Sequence, residues 1–279
     1  MQKLYDDISF RTSRLITKSY STSFSSAVSF LNSDLQNAIY SIYGFVRLAD
    51  EIVDTFHEYD KEALLDKFER DYNEAFNYGI SLNPALNSFQ QTVKKYNIDD
   101  ALIRAFLKSM RTDLYKSDHN SRDETDEYIY GSAEVVGLMC LKVFVNGDET
   151  LYNELKDPAR RLGAAFQKVN FLRDIRNDTQ DLNRKYFHNT VSSEFDEKVK
   201  NEIINDIKID FDSSFTGLKK LPESSRLGVL VAYYYYRNLL KKISRTPAGE
   251  LMEKRIRVSD RVKLIMLGKA IVVSKFNLL

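Results

Sequence analysis

The sequence predicts an all-α protein, and three observations favour that fold class. The 279 residues include only ten glycines and four prolines, so few positions interrupt regular structure. Apolar residues recur at intervals of three and four in several long segments, which is the periodicity of an amphipathic helix. Strict alternation of apolar and polar residues, the pattern of a half-buried strand, is scarce. We therefore predict one helical domain over residues 1–279.

The first strongly periodic segment is SDLQNAIYSIYGFVRLADEIVD, residues 33–54. Ser33, followed three residues later by Gln36, predicts a capping box at its start. Its apolar stripe consists of Leu35, Ile39, Ile42, Val46, Ala49 and Val53. The segment is therefore predicted to be a helix with one buried face.

Four further segments extend the helical prediction towards the C-terminus. Asn83-Pro84 and Leu221-Pro222 mark helix starts, because proline suits the first turn. A long helix is predicted over 157–178, with Asp157 as its N-cap and Pro158 at its first position. The apolar segment 262–279 is interrupted by lysines, so we interpret it as a helix packed on the core, or alternatively as a membrane-surface helix.

Composition narrows the functional classes. A net charge of +1 provides no strong field for nucleic acid, so no nucleic-acid partner is expected. The single cysteine, Cys140, cannot form a disulfide within the chain and is typical of a reducing cytosol. The N-terminus lacks the hydrophobic core of a signal peptide. We expect a cytoplasmic protein, with peripheral contact at the inner face of the membrane left open.

Two polar strips carry the functional signal. Steps of four, three and four along the first helix join Tyr43, Arg47, Asp50 and Asp54 on one face. Steps of three, four and four along the helix at 157–178 join Gln167, Asn170, Asp174 and Asp178, with Arg173 beside them. Each strip contains two aspartates one turn apart.

An ordinary solvated face would explain one such strip. Here the neighbouring residues are mostly apolar, so both helices are expected to be largely buried, where a carboxylate must be paired or must bind a metal. Mg²⁺ typically uses one or two carboxylates together with waters and substrate phosphates, and guanidinium groups bind phosphate oxygens. The strips therefore suggest a magnesium–diphosphate site between two helices, with Arg47 and Arg173 for the phosphates.

At these residues the sequence resembles the squalene and phytoene synthases, a family of trans-prenyltransferases. RLADEIVD (47–54) and QKVNFLRDIRND (167–178) resemble its two aspartate-rich motifs. Five further stretches follow in the family's order: SYSTSF (19–24), YIYGSAEVVG (128–137), RLGAAFQ (161–167), AYYYYRNLL (232–240) and KRIRVSDRVK (254–263). The resemblance spans nearly the whole chain and is greatest to bacterial phytoene synthases. It implies the isoprenoid synthase fold, a helical bundle around a central prenyl-diphosphate cavity.

The resemblance also implies roles for individual residues. The implied metal ligands are Asp50, Asp54, Asn170, Asp174 and Asp178. The implied diphosphate contacts are Ser21, Ser23, Arg47, Arg173, Arg255 and Lys263. Tyr130 matches a tyrosine near the departing diphosphate, and the positions implied to line the prenyl pockets are Phe24, Tyr43, Gln167 and Tyr235.

Two positions depart from the family pattern, the register of one tyrosine is open, and some residues have simpler interpretations. Thr22 stands where some relatives have a phosphate-binding lysine, and Glu51 replaces the second aspartate of a common first motif. The four tyrosines at 233–236 leave the register of the functional tyrosine open by one residue. Ser21 and Ser23 could instead cap a helix. The three histidines, at 57, 119 and 188, lack the spacing of a metal motif and are predicted to lie on the surface.

The function implied is head-to-head condensation of two geranylgeranyl diphosphates to phytoene through a cyclopropyl diphosphate, an early step of carotenoid synthesis. Mg²⁺ is the expected cofactor, with Mn²⁺ as a substitute, and NADPH is not expected. One alternative is a synthase that uses farnesyl diphosphate to make squalene, dehydrosqualene or hydroxysqualene. A remote alternative is an inactive prenyl-binding or assembly protein. The choice between C20 and C15 substrates and the oligomeric state stay open.

Overall fold

The computed structural model is built from helices and describes residues 1–180, 182, 184–187 and 195–275. The first six helices are α1 (Gln2–Tyr20), α2 (Thr22–Val28), α3 (Ser33–Asp54), α4 (Lys61–Tyr78), α5 (Pro84–Lys95) and α6 (Asp100–Thr112). The others are α7 (Arg122–Ile129), α8 (Val135–Val145), α9 (Glu149–Gln180), α10 (Glu197–Leu218), α11 (Glu223–Ser244), α12 (Ala248–Leu251) and α13 (Asp260–Lys275). Within the described residues, extended pairing is limited to one bridge between Asp118 and Lys185. The all-α prediction is confirmed.

Two predicted helix starts are confirmed, and one predicted cap is wrong. Asn83 caps α5, its side chain accepting from the backbone N–H of Ala85 at 3.0 Å, and α11 begins directly after Pro222. Helix α3 has the predicted bounds, but Ser33 does not form the capping box, because Asn32 is the N-cap residue. The Gln36 side chain instead donates to the carbonyl of Leu31 at 2.8 Å.

The long helix α9 begins at Glu149, earlier than the sequence predicts. Pro158 lies inside it, although proline removes a helical hydrogen bond and usually costs about 3 kcal/mol there. The proline ring packs against Gly217 of α10, where an added Cβ would lie 2.3 Å from the Pro158 Cβ. Contact with a second helix therefore keeps the proline within α9, and local sequence could not predict it.

Two apolar clusters flank the space that becomes the site. One is centred on α3, where the ring of Phe45 stacks on Phe89 with centroids 4.0 Å apart. The other joins α9, α10 and α11, and includes the fully buried Phe211 and Leu230. Because α3 belongs to the first cluster and α9 to the second, the two polar strips lie on opposite sides of the space between them.

One helical run among the described residues, Arg122–Val145, is long and apolar enough to meet the length and hydropathy criteria for a membrane span. Of the apolar window in that run, 61% is buried inside the protein, as in the core helix of a soluble protein. The run is also interrupted by a π-helical turn at Tyr130–Glu134. It packs as part of the bundle, next to α6 and α9.

Candidate active site

A cavity of about 970 Å³ lies between the two clusters. With one exception, every residue predicted for the site lines it. From the first part of the chain these are Ser21, Ser23, Phe24, Tyr43, Arg47, Asp50 and Asp54. From the second part they are Gln167, Asn170, Arg173, Asp174, Asp178, Tyr235, Arg255 and Lys263. The structure therefore brings together residues more than 200 positions apart in the sequence.

The strip on α3 is held by cations from two directions. Arg47 forms an ion pair with Glu51, one turn later and beside the strip, and its guanidinium lies 4.3 Å from the centre of the Tyr20 ring. Asp54 accepts a hydrogen bond from Arg184 Nη1 at 2.6 Å. Glu51 is buried and does not line the cavity, so its ion pair connects it to the site only through Arg47.

The strip on α9 is organised around Asp174. Its carboxylate accepts from Arg173 Nε at 3.0 Å and from Arg255 Nε at 2.6 Å. One turn earlier, the Asn170 side-chain oxygen accepts a hydrogen bond from the Tyr236 hydroxyl at 3.2 Å. Two of the predicted phosphate-binding arginines thus contact a predicted metal ligand directly.

Carboxylates on the two strips influence each other across the cavity. Burial, followed by repulsion from Asp54, raises the pKa of Asp50 to about 8. Burial also raises the pKa of Asp178 to about 8, with further contributions from Asp174 and Asp54. Since Asp54 belongs to α3 and Asp178 to α9, the two helices form a single acidic region. In the described part of the chain, no three His, Cys, Asp or Glu side chains form a group that could hold a metal ion by themselves.

Tyr130 is the exception among the predicted site residues, because it does not line the cavity. Its side chain is exposed and its ring lies 5.4 Å from the guanidinium of Arg160, outside the cavity. Residues two apart on a helix differ by about 200° in direction, so Tyr128 takes the inward position instead. The Tyr128 hydroxyl donates to Asp113 Oδ2 at 2.8 Å, and both residues line the cavity.

The sequence interpretation missed a buried network beside the aspartates. Arg184, with only 8% of its side chain exposed, contacts Asp54, the Tyr186 hydroxyl at 3.2 Å and the Asp113 carbonyl at 3.3 Å. Its position is secured by the segment around it, because Lys185 N–H donates to Ser117 and His119 N–H to Lys185. Asp113 and Arg184 belong to no repeated strip, so periodicity carried no signal for either.

The histidines do not share one environment. His57 is exposed, as predicted. His119 is buried, contrary to the prediction, with its ring centre 4.8 Å from that of Tyr128. The histidine at 188 lies outside the described residues. His119 therefore packs behind the Tyr128–Asp113 contact.

Two adjacent tyrosines reach the cavity from α11. Both Tyr235 and Tyr236 line it, whereas Tyr233 is buried against Phe211 and Phe215 elsewhere in the core. Tyr236 contacts the predicted ligand Asn170 and stacks on Phe166 with centroids 4.1 Å apart. Tyr235 and Tyr236 are therefore both candidates for the functional tyrosine whose register the sequence left open.

The serine-rich segment serves two purposes. Ser21 caps α2, its side chain accepting from the Phe24 N–H at 3.3 Å, which is the simpler interpretation of this residue. Ser21 also lines the cavity, and the Phe24 ring stacks on Tyr43 with centroids 5.0 Å apart. Away from the aspartates the walls are mainly apolar, with side chains that include Leu31, Phe144, Leu155, Leu162, Leu218, Leu221 and Val229. The cavity thus joins an acidic, arginine-rich region to an apolar chamber.

Solved structures share this fold. A dehydrosqualene synthase in complex with a ligand superposes with a TM-score of 0.84 at 22% identity, covering 97% of this chain and 98% of that one. The squalene synthase HpnC from Alicyclobacillus acidocaldarius gives a TM-score of 0.72 at 19% identity, covering 89% and 95% of the two chains. At these identities the likeness establishes the isoprenoid synthase fold.

Curated relatives match along most of the chain. Phytoene synthase 2 of Oryza sativa subsp. japonica is 27% identical over 273 residues, which cover 90% of this chain and 67% of the relative. The 4,4'-diapophytoene synthase of Staphylococcus haemolyticus (strain JCSC1435) is 26% identical over 263 residues, covering 82% and 85%. The chain spans about two thirds of the length of several chloroplastic phytoene synthases it matches.

The family model for squalene/phytoene synthase matches residues 17–262. That range contains both aspartate strips and all the cavity-lining residues predicted for the site except Lys263. Members of this family are prenyltransferases that condense prenyl diphosphates head to head. The chain belongs to the squalene/phytoene synthase family.

Proposed function

We propose that the protein is a Mg²⁺-dependent phytoene synthase, which condenses two geranylgeranyl diphosphates head to head. The observation that carries the proposal is the joining of two acidic helix faces and several arginines to one large apolar chamber. A diphosphate needs cations and a prenyl chain needs an apolar wall, and this cavity offers both. The similarity to several phytoene synthases favours the C20 substrate.

Mg²⁺ suits the donor set of the acidic region. Asp50, Asp54, Asp174 and Asp178, which line the cavity, would provide hard oxygen ligands together with substrate phosphates and water, with Asn170 as a further ligand. Burial and repulsion from neighbouring carboxylates raise the pKa of Asp50 and Asp178. A divalent cation would stabilise the ionised carboxylates and so lower both pKa values. When bound, Mg²⁺ would supply Lewis-acid stabilisation of negative charge on the diphosphate oxygens. Mn²⁺ would serve as a substitute.

The side chains of this protein then have separate tasks. Arg173 and Arg255, which contact Asp174 here, would turn to the phosphate oxygens once the aspartate binds a metal. Charge placed in advance around the departing diphosphate lowers the barrier to breaking the first C–O bond. The second substrate's double bond attacks the allylic cation, and loss of one proton from the resulting cation closes the three-membered ring, which gives the cyclopropyl diphosphate and one released diphosphate. A second ionisation, rearrangement and proton loss then yield phytoene.

The chamber protects these cations. Its apolar walls exclude water, which would otherwise capture a carbocation as an alcohol. The stacked rings of Phe24 and Tyr43 present aromatic faces to the cavity, and such a face can stabilise a cation by roughly 0.5–2 kcal/mol. We assign the reaction to the cytoplasm, and we propose that NADPH is not consumed, because phytoene formation needs no hydride.

A product assay tests the proposal. Purified protein is incubated with geranylgeranyl or farnesyl diphosphate and Mg²⁺, with and without NADPH, and the hydrocarbons are identified by mass spectrometry. We expect phytoene from the C20 substrate, with a yield independent of NADPH. A C30 hydrocarbon as the main product would instead favour the second candidate, which the similarity to a 4,4'-diapophytoene synthase supports. No turnover of either substrate would leave only a prenyl-binding role.

A further inference from the structure

We propose that the outer face of helix α13 binds the surface of an anionic lipid bilayer. We define this outer face by its exposed residues along one side of the helix. They are Arg261, Leu264, Ile265, Gly268, Ile271, Val272 and Lys275.

The helix has two different faces. Its inner side packs on the protein, with Ala270 fully buried and with Val262 and Leu267 against the core cluster of α9 to α11. On the outer face, Leu264 is 67% exposed and Ile265 is 64% exposed. The remaining two large apolar side chains there, Ile271 and Val272, are also exposed.

These four side chains form a continuous patch. Spacings of one, seven and eight residues from Leu264 place them on one side of a helix. Single exposed aliphatic residues are normal on a protein surface, but a contiguous apolar patch usually marks an interaction site. Lysines at 263, 269 and 275 interrupt the apolar sequence of α13, so the helix suits the surface of a bilayer and not its hydrocarbon core.

The charge of α13 favours an anionic bilayer as the partner of the outer face. Helix α13 carries four basic residues and a single acidic one, Asp260 at its first position, and Arg261 and Lys275 lie at the two ends of the outer face. Aliphatic side chains flanked by cations are typical of helices that lie in the headgroup region of anionic membranes. A second copy of the chain is a poorer partner, since a symmetric contact through this face would set these cations against cations.

The helix is also continuous with the mouth of the cavity. Arg255, Arg257 and Val258 line the cavity just before α13 begins, and Lys263 lines it from the first turns of the helix. If the proposed function is right, docking through α13 would hold the cavity beside the bilayer in which a long prenyl diphosphate partitions. The assignment of the surface itself depends only on the exposure and charge of α13.

Vesicle co-sedimentation tests the proposal without substrate. The full chain is mixed with phosphatidylglycerol or phosphatidylcholine vesicles at low and high salt. We expect binding to phosphatidylglycerol that weakens with salt, and little binding to phosphatidylcholine. The double variant Arg261→Gln/Lys275→Gln should bind at least about tenfold more weakly, because each basic residue near an anionic surface contributes about fivefold.

The apolar part of the face needs a matched control. Leu264→Ser/Ile265→Ser should lose most vesicle binding, whereas Leu82→Ser, at a leucine that is 95% exposed far from α13 in sequence, should bind as the original protein does. Circular dichroism and thermal melts check that each variant is folded. Turnover of detergent-dispersed substrate by the α13 variants should be unchanged.

Two results would overturn the proposal. One is equal binding of the original chain and the Leu264→Ser/Ile265→Ser variant to phosphatidylglycerol, or no binding by either. The other is a dimer that becomes a monomer on that substitution, which would assign the face to a second copy of the chain. Neither result bears on the product assay, and a failed product assay leaves the vesicle measurement intact.

Discussion

Asp50 and Asp54 repel each other across one helical turn, yet both line the same cavity as Asp174 and Asp178. Such a cluster is unfavourable unless cations neutralise it. Arg184, Arg173 and Arg255 provide part of that neutralisation within the chain. At the scale of single residues, the carboxylates of the site are therefore paired with arginines. Binding of substrate and metal would exchange some of these ion pairs for contacts with phosphate and with the metal ion.

Removal of one strip carboxylate tests the assigned site. We expect Asp50→Ala or Asp174→Ala to lower kcat by about 100- to 1000-fold, the usual cost of losing one preorganised electrostatic contact. Steady-state kinetics with Mg²⁺ provides the measurement, and Asp71→Ala, at an exposed pair with Lys67, is the control. Near-normal turnover in either strip variant would show that the assignment is wrong.

Arg184 should matter for stability as well as for activity. Arg184→Gln leaves Asp54 and Asp113 facing each other without their cation, so we expect the free energy of unfolding to fall by about 1–3 kcal/mol. Urea denaturation measures this change. Arg237→Gln breaks an exposed pair with Asp212 and should cost no more than about 0.5 kcal/mol. Equal effects in the two variants would contradict a buried role for Arg184.

Asp113 predicts a pH dependence. Burial raises the pKa of Asp113 to about 7, above the value of about 3.9 in an unfolded chain. Between these pH values the folded state binds more protons, so its contribution to stability is present below pH 4 and is lost as the pH rises to 7. Asp113→Asn should flatten the metal-free stability profile over that range by on the order of 2 kcal/mol. Denaturation curves at several pH values provide the measurement. The same pH dependence of the unfolding free energy in Asp113→Asn and in the original protein would contradict the prediction.

At the scale of helices, the close approach of α8 and α9 shapes the cavity. A Cβ added at Gly163 would lie 2.8 Å from the carbonyl oxygen of Ala133, in the turn that precedes α8. Neither atom belongs to a flexible side chain, so the helices would have to separate. Both Gly163 and Ala133 line the cavity, and the chamber would change with them.

Gly163→Ala should therefore destabilise the protein by about 1–3 kcal/mol and reduce turnover. The matched control is Gly268→Ala in α13, where an added Cβ meets nothing within 4 Å. That change should be neutral or stabilising by up to about 1 kcal/mol, because alanine favours a helix over glycine. Thermal melts and kcat of the two variants give the comparison. A Gly163→Ala variant as stable as the control would mean that the two helices can move apart at no cost.

At the scale of the whole molecule, ligand binding should be visible as stability. A ligand that binds only the folded state at 100 times its Kd adds about 2.7 kcal/mol. We expect Mg²⁺ and inorganic pyrophosphate together to raise Tm by roughly 5 °C, and each alone to raise it far less, since each supplies part of the other's binding site. Differential scanning fluorimetry is sufficient, and Asp174→Ala should abolish the joint effect. Additive shifts from the two ligands would contradict a shared site.

The sequence by itself determined the helical class, the bounds of α3 and the two aspartate strips. These features depend on spacings of three and four residues within one segment, where a helix places side chains on a common face. The family motifs could be recognised in the sequence because each lies within a few turns of a single helix. The start of α5 at Pro84 was equally local.

Only the tertiary structure decided the remaining features, because each depends on a contact between distant segments. Gly217 of α10 makes room for Pro158, so α9 begins at Glu149 and not at the proline. Packing turns Tyr128 of α7 inward, towards Asp113, and leaves Tyr130 exposed beside Arg160, an orientation that the motif alone does not reveal. Arg184 reaches Asp54 across 130 residues of sequence, and no local pattern records such a pair.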